Sequence, residues 1–413
     1  MKTADYIDRE ERFGAHNYHP LDVVIERGEG IWVWDVEGKK YLDCLAAYSA
    51  VNQGHCHPRI VKALLDQSQQ LSLTSRAFRN NRLAGFYEHL TKLTGYDKVL
   101  PMNTGAEGVE TAIKAARKWA YTVKGVAENE AEILVFDGNF HGRTTTIVSF
   151  STDEQSRDGF GPFTPGFKVL PYGDLDAVRE AMNPNVAAVL IEPIQGEGGI
   201  IVPPEGFLKG LRDLTNEHNA LLITDEIQSG LGRTGKLFAF EHDGIRPDIV
   251  ILGKALSGGL YPVSCILADD PVMSVFHPGD HGSTYGGNPV AACVAVEALK
   301  VLEDENLVEN SARLGQYAID RLRNLNSPHI HEVRGRGLWI GLELKPEAGG
   351  ARRFCEVLEQ RGILCKETHE HTIRLAPPLV ITKEELDWAL EILESTLLAE
   401  QPEMTLESVE ATA

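Results

Sequence analysis

The stretch Asp248 to Gly259, DIVILGKALSGG, decides the fold. Four apolar residues, Ile249 to Leu252, lead through Gly253 to a lone lysine, Lys254, and then into small residues. An apolar run without alternation marks a strand covered on both faces. Similar runs stand at 132–136 (EILVF), 186–192 (VAAVLIE), 220–225 (ALLITD) and 263–268 (VSCILA). Helical spacing, as in FLKGLRDLTNEH at 207–218, separates several of them. The alternation predicts an α/β fold with a mostly parallel sheet flanked by helices.

In open α/β sheets, ligands bind beyond the carboxyl ends of the strands. The residues that follow these runs are Phe140, His141 and Arg143, then Glu192, then Asp225 with Glu226 and Gln228, and finally Lys254. Alone, a lysine after a strand is most often solvated, and an Asp there most often caps a turn. Here Asp225 and Lys254 end successive strands of one predicted sheet. Burial disfavours the charged form of a lysine, and a neutral amine attacks carbonyls. A nearby carboxylate can keep a pyridine nitrogen protonated, with an ion-pair energy on the order of 5 kcal/mol at ~3 Å before desolvation. Those two parts suit pyridoxal 5'-phosphate. Thr104, Gly105 and Ala106 precede a helical stretch, so free backbone N–H groups can face a phosphate. A second Ser/Thr/Gly-rich loop, GSTYGGNP, spans Gly282 to Pro289. Arg143 and Arg374 are the candidates for bidentate carboxylate binding.

Around this centre, Ile31 to Asp43 reads as a hairpin turning at Glu37-Gly38, and Pro58 opens a helix. Asn103 to Ala120 reads as a long helix on which Glu110 and Lys114 are spaced to pair. Beyond Asn288 come long helices, then HEVRGRGLWIGLEL at 331–344, a short strand, and a final helix from about Thr382, which together predict a smaller α+β domain. The last residues, EQPEMTLESVEATA, carry acids and no bases and read as a loose tail.

Composition narrows the function classes. The chain has 413 residues, 43% of them hydrophobic, and a net charge of −20. That charge opposes nucleic-acid binding, which depends on clustered Lys and Arg. The six scattered cysteines show no CxxC pair, which fits free thiols in a reducing compartment. His55, Cys56 and His57 lack a partner cluster, so no metal site is expected. The N-terminus has no apolar core segment and no run is long enough for a membrane helix, so a cytoplasmic location is expected. No GxGxxG joins a strand to a helix, against a nicotinamide-dependent dehydrogenase.

Ten segments together resemble the class III aminotransferases, a branch of the fold-type I pyridoxal-phosphate enzymes. They are GAHNYHPL, AAYSAVNQGHCHP, TSRAF, LPMNTGAEGVETA, NFHGRT, EPIQGEGG, TDEIQSGLGRTG, RPDIVILGKALSGGLYPVS, HGSTYGGNP and RLAPPLV, in that order, within about residues 10 to 400. The resemblance implies a large domain with a sheet of the seven-stranded type at 48–300 and a small α+β domain at 301–400. It also implies an N-terminal segment, 1–47, packing with the small domain, and leaves 401–413 as the tail. Lys254 would carry the cofactor covalently, Asp225 would pair with its ring nitrogen, and Gln228 would approach its hydroxyl. Phe140 would stack on the ring, with His141 and Glu192 beside it, and Gly105 and Ala106 would hold the phosphate. Ser283 and Thr284 would reach the phosphate of a neighbouring subunit, making a homodimer with shared sites and leaving higher assembly open.

Within the class, the likeness is to the branch acting on the δ-amine of ornithine. It implies transfer of that amine from L-ornithine to 2-oxoglutarate. Tyr18, Tyr48 and Arg143 would line the ornithine site, while Glu197 would mask Arg374 until an α-carboxylate arrives. His141 stands where some ornithine enzymes carry Trp. The alternatives are a relative acting on acetylornithine or another ω-amine, and a non-catalytic scaffold that keeps the fold.

Overall fold

The computed structural model describes residues 1–400, and the tail predicted at 401–413 lies outside them. A seven-stranded mixed sheet forms the centre. In spatial order its strands are Lys98–Met102, Ser264–Ala268, Ile249–Leu252, Leu221–Asp225, Val186–Ile191, Glu132–Phe136 and Phe167–Leu170. The last five run parallel, whereas Ser264–Ala268 pairs antiparallel with both of its neighbours. All residues of Val186–Ile191, Leu221–Asp225 and Ile249–Leu252 are buried, which explains their unbroken apolar texture.

Helices cover both faces. Gly105–Trp119 lays Val109, Ile113 and Trp119 on one face, and Gly108 lets it approach closely: a Cβ there would sit 3.0 Å from the Ile251 side chain. Leu175–Ala181 and Phe207–Glu217 cover the other face through Val178, Leu208 and Leu211. Burying each such side chain contributes about 1.5–3 kcal/mol, so truncating Ile251 to Ala costs about 2–5 kcal/mol.

After Glu132–Phe136 the chain crosses outward to Phe167–Leu170 and then returns to Val186–Ile191 on the other side. This reversal of strand order opens a crevice above the carboxyl ends, and the candidate residues sit there.

The C-terminal part builds an antiparallel sheet from Ile330–Arg336, Trp339–Leu344, Thr372–Leu375 and Lys366–Thr368. Helices Leu307–Arg323, Arg352–Gln360 and Lys383–Leu398 pack around it. Thr382 caps the last helix, accepting from Glu385 N. Near the N-terminus, the expected hairpin forms from Trp32–Asp35 and Lys40–Asp43. Ile25–Glu29 adds to it on one side, and Ile363–Leu364 joins Lys40–Asp43 in parallel. The Gly38 backbone adopts φ +87° at the turn, which Asp35 ties by accepting from Glu37 N and Lys39 N.

One expected contact does not form. Glu110 and Lys114 share a helix face, but Glu110 accepts from the Thr144 hydroxyl at 2.5 Å. Lys114 donates to the Asp280 carbonyl and lies 3.0 Å from His281 Nδ1. Tertiary partners outcompete a spacing worth only about 0.2–0.5 kcal/mol.

Candidate active site

The crevice encloses a cavity of about 140 Å³. Its walls include Gly105, Ala106, Phe140, His141, Glu192, Asp225, Gln228 and Lys254. Four adjacent strand ends therefore supply its polar groups. Asp225 closes its strand, and register pairs it with Ile251, three residues before Lys254. A second hollow of about 290 Å³ lies on the other side of Lys254, lined by Thr104, Gly105, Ser257 and Tyr261 among others.

Lys254 holds φ +43°, in the left-handed region that non-glycine residues avoid. Backbone strain of this kind persists only where the surroundings enforce it. Burial draws the ammonium down to about 8, against the opposing pull of Glu197 and Asp225. The amine thus reaches the neutral form, the state a nucleophile or base needs, near pH 8 instead of 10.5.

Asp225 is buried, with Oδ2 2.7 Å from His141 Nδ1 and Oδ1 accepting from Ile227 N. Burial by itself would lower the His141 pKa. The hydrogen bond and charge of Asp225, aided by Glu192, lift it above the usual imidazole value. Glu192 accepts from Phe140 N and Gly196 N, and burial pushes its carboxyl up to about 7, with Asp225 adding to the rise. Glu226 turns elsewhere: it accepts from Ser229, Ala239 N and Phe240 N.

At the head of helix Gly105–Trp119, Thr104 and Glu107 form a reciprocal cap. Gly105 and Ala106 line the cavity in the first turn of this helix, where the Thr104 cap takes up the Glu107 N–H, so this helix head suits an anion seat. Gly142, at φ +126°, keeps the loop after His141 close to Ala106, where a Cβ would meet the alanine at 3.0 Å.

Tyr18, Tyr48, Arg143, Glu197 and Arg374 do not line this cavity; they form a far end built from distant segments and joined to it through Gln228. Arg374, buried on Thr372–Leu375, donates from Nη1 and Nη2 to the two Glu197 oxygens at 2.7 and 3.0 Å. Burial would raise the Glu197 pKa, but Arg374 and then Lys254 hold it below the usual carboxylate range. Gln228 Nε2 also donates to Glu197, while Gln228 Oε1 is buried without a partner. Thr368 donates to the Glu197 carbonyl, a support that no sequence motif marks. Tyr48 lies under the Arg374 guanidinium at 5.1 Å. It belongs to a left-handed turn, Ala46 to Ser49, whose four φ values run from +47° to +69°. Exposed Arg143 sits between the rings of Tyr18 and Phe140, at 5.8 and 5.7 Å from their centroids.

Ser283 and Thr284 do not line the cavity of their own chain. Ser283 Oγ accepts from Asn103 Nδ2 and Gly286 N, and Thr284 is exposed. His55 and His57 bond to Asp43 and Glu305, and no metal-holding group of three His, Cys, Asp or Glu occurs among the described residues. No described helix is long and apolar enough to cross a membrane.

The comparisons with known proteins agree with this geometry. The chain is 58% identical over 396 residues to the ornithine aminotransferase of Brevibacillus brevis, covering 96% of this chain and 98% of that one. It superposes, with a TM-score of 0.95 and 46% identity, on the ornithine aminotransferase from Toxoplasma gondii solved with partial occupancy of PLP at its active site. That match covers 96% of this chain and 94% of the other. The acetylornithine aminotransferase from Elizabethkingia anophelis is similar too, with a TM-score of 0.88, 50% identity and coverage of 96% and 99%. Residues 13–397 match the family model for class-III aminotransferases. With a lysine and an aspartate on neighbouring strand ends and a relative this similar along nearly its whole length, the chain belongs to the class-III aminotransferases.

Proposed function

We propose that the protein transfers the δ-amino group of L-ornithine to 2-oxoglutarate, giving L-glutamate 5-semialdehyde and L-glutamate, with pyridoxal 5'-phosphate as cofactor. The observation that carries this is the closed Glu197–Arg374 pair, tied through Gln228 to the cavity that holds Lys254 and Asp225. The residues fit the cofactor. A lysine whose pKa is drawn down by burial, a carboxylate that is only 5% exposed, the Gln228 amide and a helix head meet in one cavity. When bound, the cofactor supplies an aldehyde carbon for exchanging amines and a ring that takes up electron density.

The chain's own residues do the rest. Asp225, oriented by His141, would hold the ring nitrogen protonated. Gln228 would offer its amide to the ring hydroxyl, and Phe140 would cover one face. His141 and Glu192 would close the floor against water. Gly105 and Ala106 would take the phosphate. Lys254, uncharged, takes the proton from the amine-bearing δ-carbon of ornithine.

The δ-amine is selected by position. While Glu197 occupies Arg374, the site for an adjacent α-carboxylate is masked, and ornithine enters amine-first with its amino-acid end held by Tyr18, Tyr48 and Arg143. When 2-oxoglutarate arrives, its α-carboxylate replaces Glu197 on Arg374. Residues 48–300 form the cofactor-binding unit in this account, and 301–400 with 1–47 form the unit bearing Arg374. Exposed Thr284 and half-buried Ser283 would serve the phosphate of a second copy in a homodimer. The setting is cytoplasmic.

An assay with ornithine and 2-oxoglutarate, trapping the cyclised pyrroline product, tests the assignment. Pyrroline and glutamate should form in equal amounts. Faster turnover of N-acetylornithine than of ornithine would transfer the assignment to the other branch of the class.

A further inference from the structure

Arg233 is fully buried, and among the described residues no carboxylate is bonded to it. It lies with Gln228 in the loop that follows Asp225. Its Nη1 donates to two carbonyls of the C-terminal part, Leu338 O at 2.8 Å and Pro377 O at 2.7 Å. Its Nη2 donates to Asn52 Oδ1, while Nε is buried and finds no partner among the described residues. Burial draws the guanidinium down to about 9, with Asp43 opposing, so it stays charged near neutral pH. Isolated cations are expelled from protein interiors unless something specific retains them.

The two carbonyls lie at related places. Leu338 immediately precedes strand Trp339–Leu344, and Pro377 comes two residues after Thr372–Leu375, the strand that carries Arg374. These strands pair antiparallel, with Gly341 opposite Arg374. One guanidinium nitrogen therefore clamps adjacent ends of both strands to the loop that follows Asp225 and bears Gln228. The joint is reinforced nearby. Ser311 Oγ donates to the Arg233 carbonyl and accepts from Leu338 N. Asn52 Nδ2 donates to Leu231 O, and Leu379 N donates to Asn52 O.

We infer that Arg233 is a positioning residue that sets the place of Arg374 relative to Glu197 and Gln228, and so governs recognition of the α-carboxylate of the 2-oxo acid. The inference rests on the role proposed above for Arg374. Arg233 touches neither substrate nor cofactor. Its effect falls on the half-reaction in which Arg374 must leave Glu197 and meet a new carboxylate at the right distance. The half-reaction with the ω-amine, in which Arg374 stays paired, depends on it less.

The test uses the Arg233→Lys holoenzyme, since one ammonium cannot hold three acceptors on opposite sides in the geometry of the fork. The two half-reactions are followed separately through the absorbance of the bound cofactor. The value of kcat/KM for 2-oxoglutarate should fall by about tenfold to a hundredfold through misplacement of Arg374. The half-reaction with the amine donor should change by less than about threefold, with the resting spectrum unchanged. A parallel loss in both halves, or no loss in either, overturns the inference. Asn52→Ala removes the Nη2 contact together with the Asn52–Leu231 bond, leaves both Nη1 contacts in place, and should show the same asymmetry at about threefold. If Arg233→Lys does not fold, symmetric or absent effects in Asn52→Ala overturn it instead. Wild-type turnover of ornithine separately checks the underlying assignment, and the ratio of half-reactions can be read with whichever amine the wild type accepts.

Discussion

The two ends of the crevice are built differently. At the near end, Asp225 and Lys254 sit on adjacent strand ends of one sheet, among fully buried neighbours. At the far end, Tyr18, Tyr48, Arg143, Glu197 and Arg374 come from separate stretches of chain, and the pair that joins them spans 177 positions. The near end gains rigidity from a core that cannot shift without losing packing. The far end gains adjustability, because a charged pair between separate elements can open without unfolding either. Bond-making chemistry needs the first property, and alternating between two substrates needs the second.

Replacing Lys254 breaks the near end outright. On the role proposed for Lys254, Lys254→Ala removes both the covalent attachment and the base and should reduce turnover by about 10⁴-fold or more. Steady-state assay of the purified variant with ornithine and 2-oxoglutarate checks this. Activity within tenfold of wild type would show that the base lies elsewhere.

The same position tests the burial argument through stability. In the cofactor-free protein, the folded state loses the Lys254 proton near pH 8 and the unfolded chain near 10.5. Between these values the unfolded state binds more protons, so wild-type stability rises with pH across that window. Below pH 8 the buried charge weighs on the fold in full. Lys254→Met should then be more stable by about 2 kcal/mol at pH 7, allowing for the part of the side chain open to the cavity, with the difference shrinking toward pH 10.5. Denaturant unfolding at pH 7 and pH 10 reads it. A difference independent of pH would contradict the lowered pKa.

The far end breaks more gently. Glu197→Ala leaves Arg374 unmasked, so ornithine can also bind with its α-carboxylate on that arginine. Transfer from the δ-position should lose about tenfold of its preference over the α-position, as the loss of one charged hydrogen-bonded partner implies. Product analysis separating the two oxo acids reports the ratio, and unchanged regiochemistry would remove the gate from the account. Smallest of all, Tyr18→Phe should raise KM for ornithine by about two- to fivefold with kcat held, the loss of a single exposed hydrogen bond. A fall in kcat instead would place Tyr18 nearer the reacting atoms than its exposed position suggests.

The contrast also explains what could be read from the sequence. The central strands were legible because burial on both faces leaves an unbroken apolar run, and the residue ending each run is then placed without further information. Lys254 and Asp225 follow from that logic. Glu197 and Arg374 do not: nothing local to QGEGG or IRLAPP states that they meet, and their pairing came from family likeness alone. The support of Glu197 by Thr368 and the short strand Ile363–Leu364 had no local signal either. Glu110 and Lys114 show the opposite failure, in which a true local rule gave way to stronger contacts from elsewhere in the chain.

The turn Ala46 to Ser49 contains no glycine or asparagine, yet all four residues wind left-handed. Each such residue costs roughly 1–2 kcal/mol, so the loop resembles a compressed spring held shut by its surroundings. Glycine at Ala47 would slacken that spring and leave the phenol of Tyr48 free to wander. Keeping side chains there trades some stability for an aromatic ring that stays still beneath the Arg374 guanidinium.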